Sequence, residues 1–333
     1  MNNKPVLGIL LGDSSGIGPE LVAKLAVSGF YEQYCRPIVI GDMRVFEEGL
    51  RIIGKDYPHY AIDSVQEADW GRGLPILDQK DQDPAQVVMG EASAYCGAAV
   101  NNAIRVAVLL YQEGKIEGFC FAPFNKSGMK LAGCEFESEH HLLAALFHQT
   151  GPFGEINVCE NLWTTRTTSH IPISEVSSHL TVESILRAEV LCSNTLKKAG
   201  IANPRLGVAA LNPHAGEHGL CGREEIDVIA PAVDKARELG IDAQGPFPSD
   251  TLFIKAFRGD FDGVVTMYHD QGQIALKLKG FDQGITISGG LPAPIVTCAH
   301  GTAYDIVGKG IAGTSSFENA IKMASRMALA SRK

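Results

Sequence analysis

Met267-Tyr268-His269-Asp270-Gln271-Gly272 closes an apolar run, Phe261 to Met267, that contains two valines. This reads as a buried strand ending on a His-Asp pair and then a glycine. In open α/β sheets, ligands collect outside the carboxyl ends of such strands, so His269 stands where chemistry is usually carried out. Alone, it reads first as a hydrogen-bonded structural residue. The same local grammar occurs twice more, in the β-branched run Trp163 to His170 and in the apolar run Leu206 to His214. Three strand-end histidines in one half of the chain predict convergence. Three neutral imidazoles that leave a coordination position open are a pattern of catalytic zinc, and imidazole also suits other first-row divalent ions. The spacings, 44 residues from His170 to His214 and 55 from His214 to His269, match no short local motif. The metal assignment therefore rests on position within the fold.

A chain of 333 residues is long enough for two domains or one large one with a substantial core. Its 45% apolar and 20% charged residues, with 36 glycines, are those of an ordinary globular enzyme. A net charge of -9 and a pI near 5.6 argue against nucleic acid or an anionic membrane surface as the main partner. The eight cysteines form no CxxC pair. With no signal peptide and no apolar run near 18 residues, a cytoplasmic protein with reduced thiols is expected, and zinc held by cysteine is not.

From the start of the chain, Pro5 to Leu11 reads as a buried strand, broken at Gly12-Asp13-Ser14-Ser15-Gly16-Ile17-Gly18-Pro19-Glu20 before a helix over Leu21 to Val27. Such a turn could cradle a phosphate at the helix N-terminus. Its glycine spacing is neither GxGxxG nor a Walker loop, so it is taken as a site-lining turn. Arg36 to Gly41 is a second strand, Ile62 to Pro84 an irregular surface excursion, Ala85 to Gly114 a long helix, and Gly118 to Phe121 a short strand leading to Lys126. Strands alternating with helices at this spacing predict a largely parallel sheet.

Lys126 is a candidate anion contact, with a solvated loop lysine as the alternative. His140 and His141 open a helix after Ser138-Glu139; adjacent residues on a helix point in different directions, so at most one lines a site. Thr181 to Ala199 and Glu224 to Leu239 read as amphipathic helices, and Pro246 to Thr251 as a turn that carries Asp250. The last informative block, His300 to Ala312, is a glycine-rich loop between an Ile295-Val296-Thr297 strand and a helix over Ser316 to Ala330.

That loop, HGTAYDIVGKGIA, resembles the adenosine-binding loop of the isocitrate and isopropylmalate dehydrogenase superfamily. GDSSGIGPE, APFNK, LNPHAGEHGLCGREE, PFPSDTLF, MYHDQG and HGTAYDIVGKG, in this order, are similar to the 4-hydroxythreonine-4-phosphate dehydrogenase family, from residue 7 to about 325. The resemblance implies an α/β fold like that of isocitrate and isopropylmalate dehydrogenases, with two α/β/α domains and a cleft between them. The expected division is 1–125 plus 280–333 on the cofactor side and 126–279 on the metal and substrate side. It further implies a homodimer with its active site at the subunit interface, and a divalent metal on His170, His214 and His269. Zinc is expected first, with manganese, magnesium or cobalt as alternatives. Asp250, Asp270 and Lys126 match further positions lining the family's site, and each is a candidate general base.

The implied reaction is oxidation of a secondary hydroxyl β to a carboxylate, followed by loss of carbon dioxide. Family members acting on the phosphorylated threonine carry Gly-His-Thr-Glu where this chain reads Ser138-Glu139-His140-His141. They carry an Asn where Thr286 stands and an Arg where Ile295 stands; Lys277 is retained. Losing one such charge-assisted contact costs on the order of 2–5 kcal/mol. Either the substrate is not a phosphate ester, or His140, His141 and Lys126 rebuild the phosphate site. Relatives that oxidise cis-dihydrodiols of aromatic dicarboxylates, such as the terephthalate-derived diol, likewise lack that Arg.

For the cofactor, the resemblance points to His300, Gly301, Thr302, Ala303 and Asp305. A carboxylate at Asp305 would repel a 2′-phosphate, so NAD is expected over NADP. Two other classes compete: an enzyme of this fold that uses no nicotinamide, and a non-catalytic small-molecule-binding paralogue. The intact loop argues against the first. All three histidines with both aspartates argue against the second, since relaxed sites shed polar groups that are costly to bury.

Overall fold

The computed structural model describes residues 3–332. The chain divides into two compact units, one formed by residues up to Gln149 together with those from Leu291 onward, the other by Thr150–Gly290. The first has strands β1 (Val6–Leu10), β2 (Arg36–Gly41), β3 (His59–Ile62), β4 (Leu74–Asp78), β5 (Phe119–Phe121) and β12 (Ile295–Cys298). The second has β6 (Gly154–Cys159), β7 (Leu162–Arg166), β8 (Arg205–Ala209), β9 (Asp242–Phe247), β10 (Gly263–Thr266) and β11 (Ile285–Gly289).

In the first unit the strand order is β3-β4-β2-β1-β5-β12 and every pairing is parallel. Parallel strands are covered by helices on both faces and so read as continuous apolar runs. Leu7, Ile9, Ile38, Val39, Phe119 and Val296 are all buried, and Phe46, Ile104 and Phe317 pack among the covering helices. Strands β2 and β5 flank β1 on opposite sides, so the crevice outside β1 and β5 is the point where the order of winding reverses.

The expected surface excursion from Ile62 to Pro84 is corrected: it holds β4, whose Leu74, Ile76 and Leu77 are buried between β3 and β2. The helix expected from Ala85 starts only at Ala94, because Gly90 is left-handed and the Ser93 hydroxyl caps Cys96 N–H at 3.1 Å. This helix, Ala94–Gln112, is by length and composition alone long and apolar enough to cross a membrane, though Asn101, Asn102 and Arg105 interrupt its apolar residues. Its apolarity serves packing within the unit: a Cβ on Gly97 would lie 1.9 Å from the Gly128 carbonyl oxygen. That contact also ties helix Lys126–Leu131 to the first unit, so residues 126–149 belong to the first unit and not to the second.

The second unit has the order β11-β6-β7-β10-β8-β9. Strands β7, β10, β8 and β9 run parallel, whereas β6 pairs antiparallel with both β7 and β11. Residues 285–289 therefore belong to this second unit through β6 and not to the first. The helix Val182–Lys198 has a capping box between Thr181 and Ser184 and buries Ile185, Leu191, Cys192 and Leu196. Pro246 to Thr251, expected as a turn, is the end of β9, which contains cis Pro246, and the start of helix Ser249–Phe257, with Pro248 between them.

Candidate active site

Because β7, β10, β8 and β9 are parallel, their carboxyl ends share one edge of the second unit. Thr167 N–H donates to Thr266 O at 2.8 Å, and Thr168 donates to Met267 O through N–H at 3.1 Å and Oγ1 at 2.7 Å. These bonds run the segment after β7 beside that after β10, and the rings of His170 and His269 come to lie 5.5 Å apart. His269 opens the helix His269–Gly280, with its Nδ1 2.6 Å from Asp270 Oδ1. The carboxylate accepts from Nδ1–H, which fixes the tautomer with the Nε2 lone pair available.

His214 follows β8 by five residues. Buried Glu225 accepts Leu211 N–H at 2.9 Å and Asn212 N–H at 2.7 Å, and so shapes the turn before it. From His214 through His218 the backbone is left-handed, with φ between 45° and 79°. A left-handed non-glycine residue costs roughly 1–2 kcal/mol, and such strain gathers at functional sites. His214 Nδ1 lies 2.9 Å from Glu217 Oε2, a second histidine backed by a carboxylate. Among the described residues, no three His, Cys, Asp or Glu side chains stand close enough together to hold a metal ion. His170 and His269 are brought together; His214 is turned onto Glu217. Imidazole nitrogens are donors that suit a divalent ion, and two of the three expected ones stand side by side.

Gln271 was quoted in the sequence motif but given no role. Its Oε1 accepts Met267 N–H at 2.7 Å, and its Nε2 donates to Ala210 O and Ser249 Oγ, both at 2.7 Å. One amide therefore joins the segments carrying His269, His214 and Asp250. Asp250 itself is exposed in the first turn of its helix, and Asp270 is engaged by His269.

Thr286 is buried in β11, where its hydroxyl accepts from Asn157 Nδ2 at 3.0 Å. Asn157 Oδ1 accepts from Arg166 Nη1 at 2.9 Å and Gln273 Nε2 at 2.7 Å, and Arg166 Nε donates to Ser169 Oγ at 2.9 Å. This network was illegible in sequence because its members lie on four separate elements. Lys277 is exposed on the last turns of the helix that His269 opens.

In the first unit, the ends of β1, β5 and β12 come together. Asp13 N–H donates to Pro123 O at 3.0 Å and Ile17 N–H to Thr302 O at 3.1 Å. Gly16 is required by this approach, since a Cβ there would lie 2.8 Å from Thr302 Cβ. Gly301 has open space where a Cβ would stand, His300 Nδ1 lies 3.1 Å from Gly301 O, and the Asp305 side chain is exposed. A bare backbone beside an exposed carboxylate fits the adenosine end of a nicotinamide cofactor.

Lys126 Nζ and His140 Nε2 approach the buried Glu139 carboxylate at 3.8 and 3.7 Å. His140 is buried and His141 exposed, pointing apart as adjacent helical residues must.

Strand-end imidazoles backed by carboxylates in one unit and a glycine loop beside an exposed aspartate in the other are the features of an NAD-linked α/β dehydrogenase. The family described as Pyridoxal phosphate biosynthetic protein PdxA matches residues 33–324, and the chain belongs to it. It is 46% identical over 98% of its length to a Rhizobium meliloti (strain 1021) protein provisionally named 4-hydroxythreonine-4-phosphate dehydrogenase 2, of which it covers 94%. It is 39% identical to the D-threonate 4-phosphate dehydrogenase of Cupriavidus necator, with 97% of each chain covered.

Among solved structures, a 4-hydroxythreonine-4-phosphate dehydrogenase from Burkholderia phymatum superposes with a TM-score of 0.84 at 38% identity, covering 98% of this chain and 99% of that one. A terephthalate 1,2-cis-dihydrodiol dehydrogenase from Burkholderia xenovorans LB400 gives 0.67 at 25%, over 97% of this chain and 98% of that one.

Proposed function

We propose that this chain is a divalent-metal-dependent dehydrogenase that uses NAD to oxidise a secondary hydroxyl β to the carboxylate of a phosphorylated four-carbon acid, with loss of carbon dioxide. The observation that carries this reading is the His269–Asp270 pair beside the His170 ring. A metal on His170, His214 and His269, zinc before manganese, magnesium or cobalt, would lower the pKa of the substrate hydroxyl and stabilise the enolate left by carbon dioxide. The protein's part is to present two tautomer-fixed imidazoles and to hold strand ends in place through Gln271. The hydroxyl proton falls to Asp250 or Lys126, since Asp270 is engaged by His269. His300 to Asp305 would hold the adenosine end of NAD, which would supply the acceptor for the hydride that leaves with the C–H bond electrons; the resulting β-keto acid would lose its carboxyl group as carbon dioxide.

The names of the relatives support 4-hydroxythreonine 4-phosphate or D-threonate 4-phosphate as substrate. Lys126, half-exposed beside the Glu139 carboxylate, is the cationic group that could meet a substrate anion. One observation favours a second reading, a cis-dihydrodiol of an aromatic dicarboxylate. Ile295, where phosphate-using members carry Arg, is fully buried against β5 and offers no charge.

NADH formation by the metal-loaded enzyme is to be measured with both phosphates and the diol in parallel. Turnover of a phosphate ester establishes the first reading; turnover of the diol alone replaces it with the second. A homodimer in the cytoplasm completes the proposal, and Ile274 and Leu278, exposed on one face of the helix His269–Gly280, give a second copy an apolar stripe to cover.

A further inference from the structure

Within the first unit, two carboxylates from the first βα turn hold the loop that follows β12. Asp13, 1% exposed, accepts Ser15 N–H at 2.9 Å and Ser15 Oγ at 2.7 Å on Oδ1, and the Tyr304 hydroxyl at 3.0 Å on Oδ2. Ser15 Oγ also lies 3.2 Å from the Tyr304 hydroxyl. Eight residues further along the loop, buried Glu20 accepts Ala312 N–H at 2.7 Å, and Lys24 Nζ donates to Ala312 O at 2.6 Å. Between these fixed points stands exposed Asp305, whose backbone carbonyl accepts from Lys309 Nζ at 2.7 Å.

The loop does not adopt this course freely. Ala303 is left-handed, with φ 47°, immediately before Tyr304. That conformation is unfavourable for a residue with a Cβ and persists only where its surroundings enforce it. The bond from Tyr304 to Asp13 enforces it from the following residue, beside Ile306 N–H on Ala303 O and Ile17 N–H on Thr302 O, both at 3.1 Å. Burial pushes the Tyr304 phenol above its ordinary range, so it remains a donor through neutral pH.

We infer that Tyr304 is a positioning residue for the cofactor: its hydroxyl, latched to Asp13 and Ser15, holds strained Ala303 and so aims Gly301 and Asp305 at the adenosine end of NAD. The inference rests on the proposed reading of the His300 to Asp305 loop as the cofactor site. Tyr304 touches no reacting atom, and its removal acts on cofactor affinity alone.

The test is calorimetric titration of NAD into wild type, Tyr304→Phe, Ser15→Ala and the double variant Tyr304→Phe with Ala303→Gly. Deleting a hydrogen bond to a charged group should weaken NAD binding roughly tenfold in Tyr304→Phe. kcat at saturating NAD and KM for the hydroxy acid should stay as in wild type, and Ser15→Ala should show a smaller loss in the same direction. Glycine adopts the left-handed conformation at no steric cost, so Ala303→Gly should recover most of the affinity lost in Tyr304→Phe. Wild-type affinity in Tyr304→Phe, or a fall in kcat matching the loss of NAD binding, overturns the inference while leaving the cofactor site intact. Failure of wild type itself to bind NAD overturns the functional reading, and the inference with it.

Discussion

Asp270 grips the imidazole of the residue before it: Oδ1 lies 2.6 Å from His269 Nδ1, and the helix that both residues open fixes the pair in place. Removing the carboxylate frees the ring to rotate and to exchange tautomers. Asp270→Ala should lower zinc affinity by about 10–100-fold while leaving NAD binding as it was. Competition against a chromophoric chelator measures the first, and calorimetry the second.

His214 sits on a strained backbone that Glu225 and Glu217 hold in place. Substitution to alanine should abolish turnover and reduce metal uptake, with NAD binding preserved because the His300 loop belongs to the other unit. A His214→Ala enzyme that keeps near-normal activity with metal bound would remove His214 from the ligand set.

At Asp305 the exposed carboxylate should discriminate against a 2′-phosphate. Asp305→Lys should shift the ratio of kcat/KM values for NAD and NADP toward NADP by one to two orders of magnitude, about 1.4 kcal/mol for each factor of ten. An unchanged ratio would place the ribose elsewhere.

Glu189, fully buried on the helix Val182–Lys198, has no hydrogen-bond partner on either carboxyl oxygen. Burial pushes it up from 4.5 to about 8. The folded protein therefore holds this proton over a range in which the unfolded chain has released it. Its contribution to stability is complete below about pH 4.5 and declines as pH rises through about 8. Glu189→Gln should flatten that decline, raising the urea midpoint at pH 8.5 more than at pH 5. Parallel midpoints for the two proteins at both pH values would contradict it.

The strand ends were legible because chemistry there interrupts strand-like runs: His214 and His269 each stop an apolar one, and His170 a β-branched one. The loop from His300 was legible through its glycines. Strand β4 was not, because its apolar core, Leu74 to Leu77, is bounded by Gly71, Gly73 and a polar stretch typical of a surface loop. The left-handed run from His214 to His218 leaves no mark either, since only Gly216 within it is a residue that favours that conformation. Gln271, Asn157 and Arg166 act through partners distant in sequence, and no local pattern records a long-range hydrogen bond. The antiparallel placement of β6 depends in the same way on its two neighbours, β7 and β11, which a one-dimensional reading cannot pair.

Strand β12 comes after the whole of Thr150–Gly290 in the chain, yet it lies beside β5 in the first unit. During synthesis the second unit emerges complete while the first still lacks its edge. Until Ile295 to Cys298 leave the ribosome, β5 presents the unpaired backbone of Phe119 to Phe121, an open template for any extended segment. The growing chain thus passes through a stage in which its first unit has an open, adhesive flank, which the pairing of β12 with β5 closes.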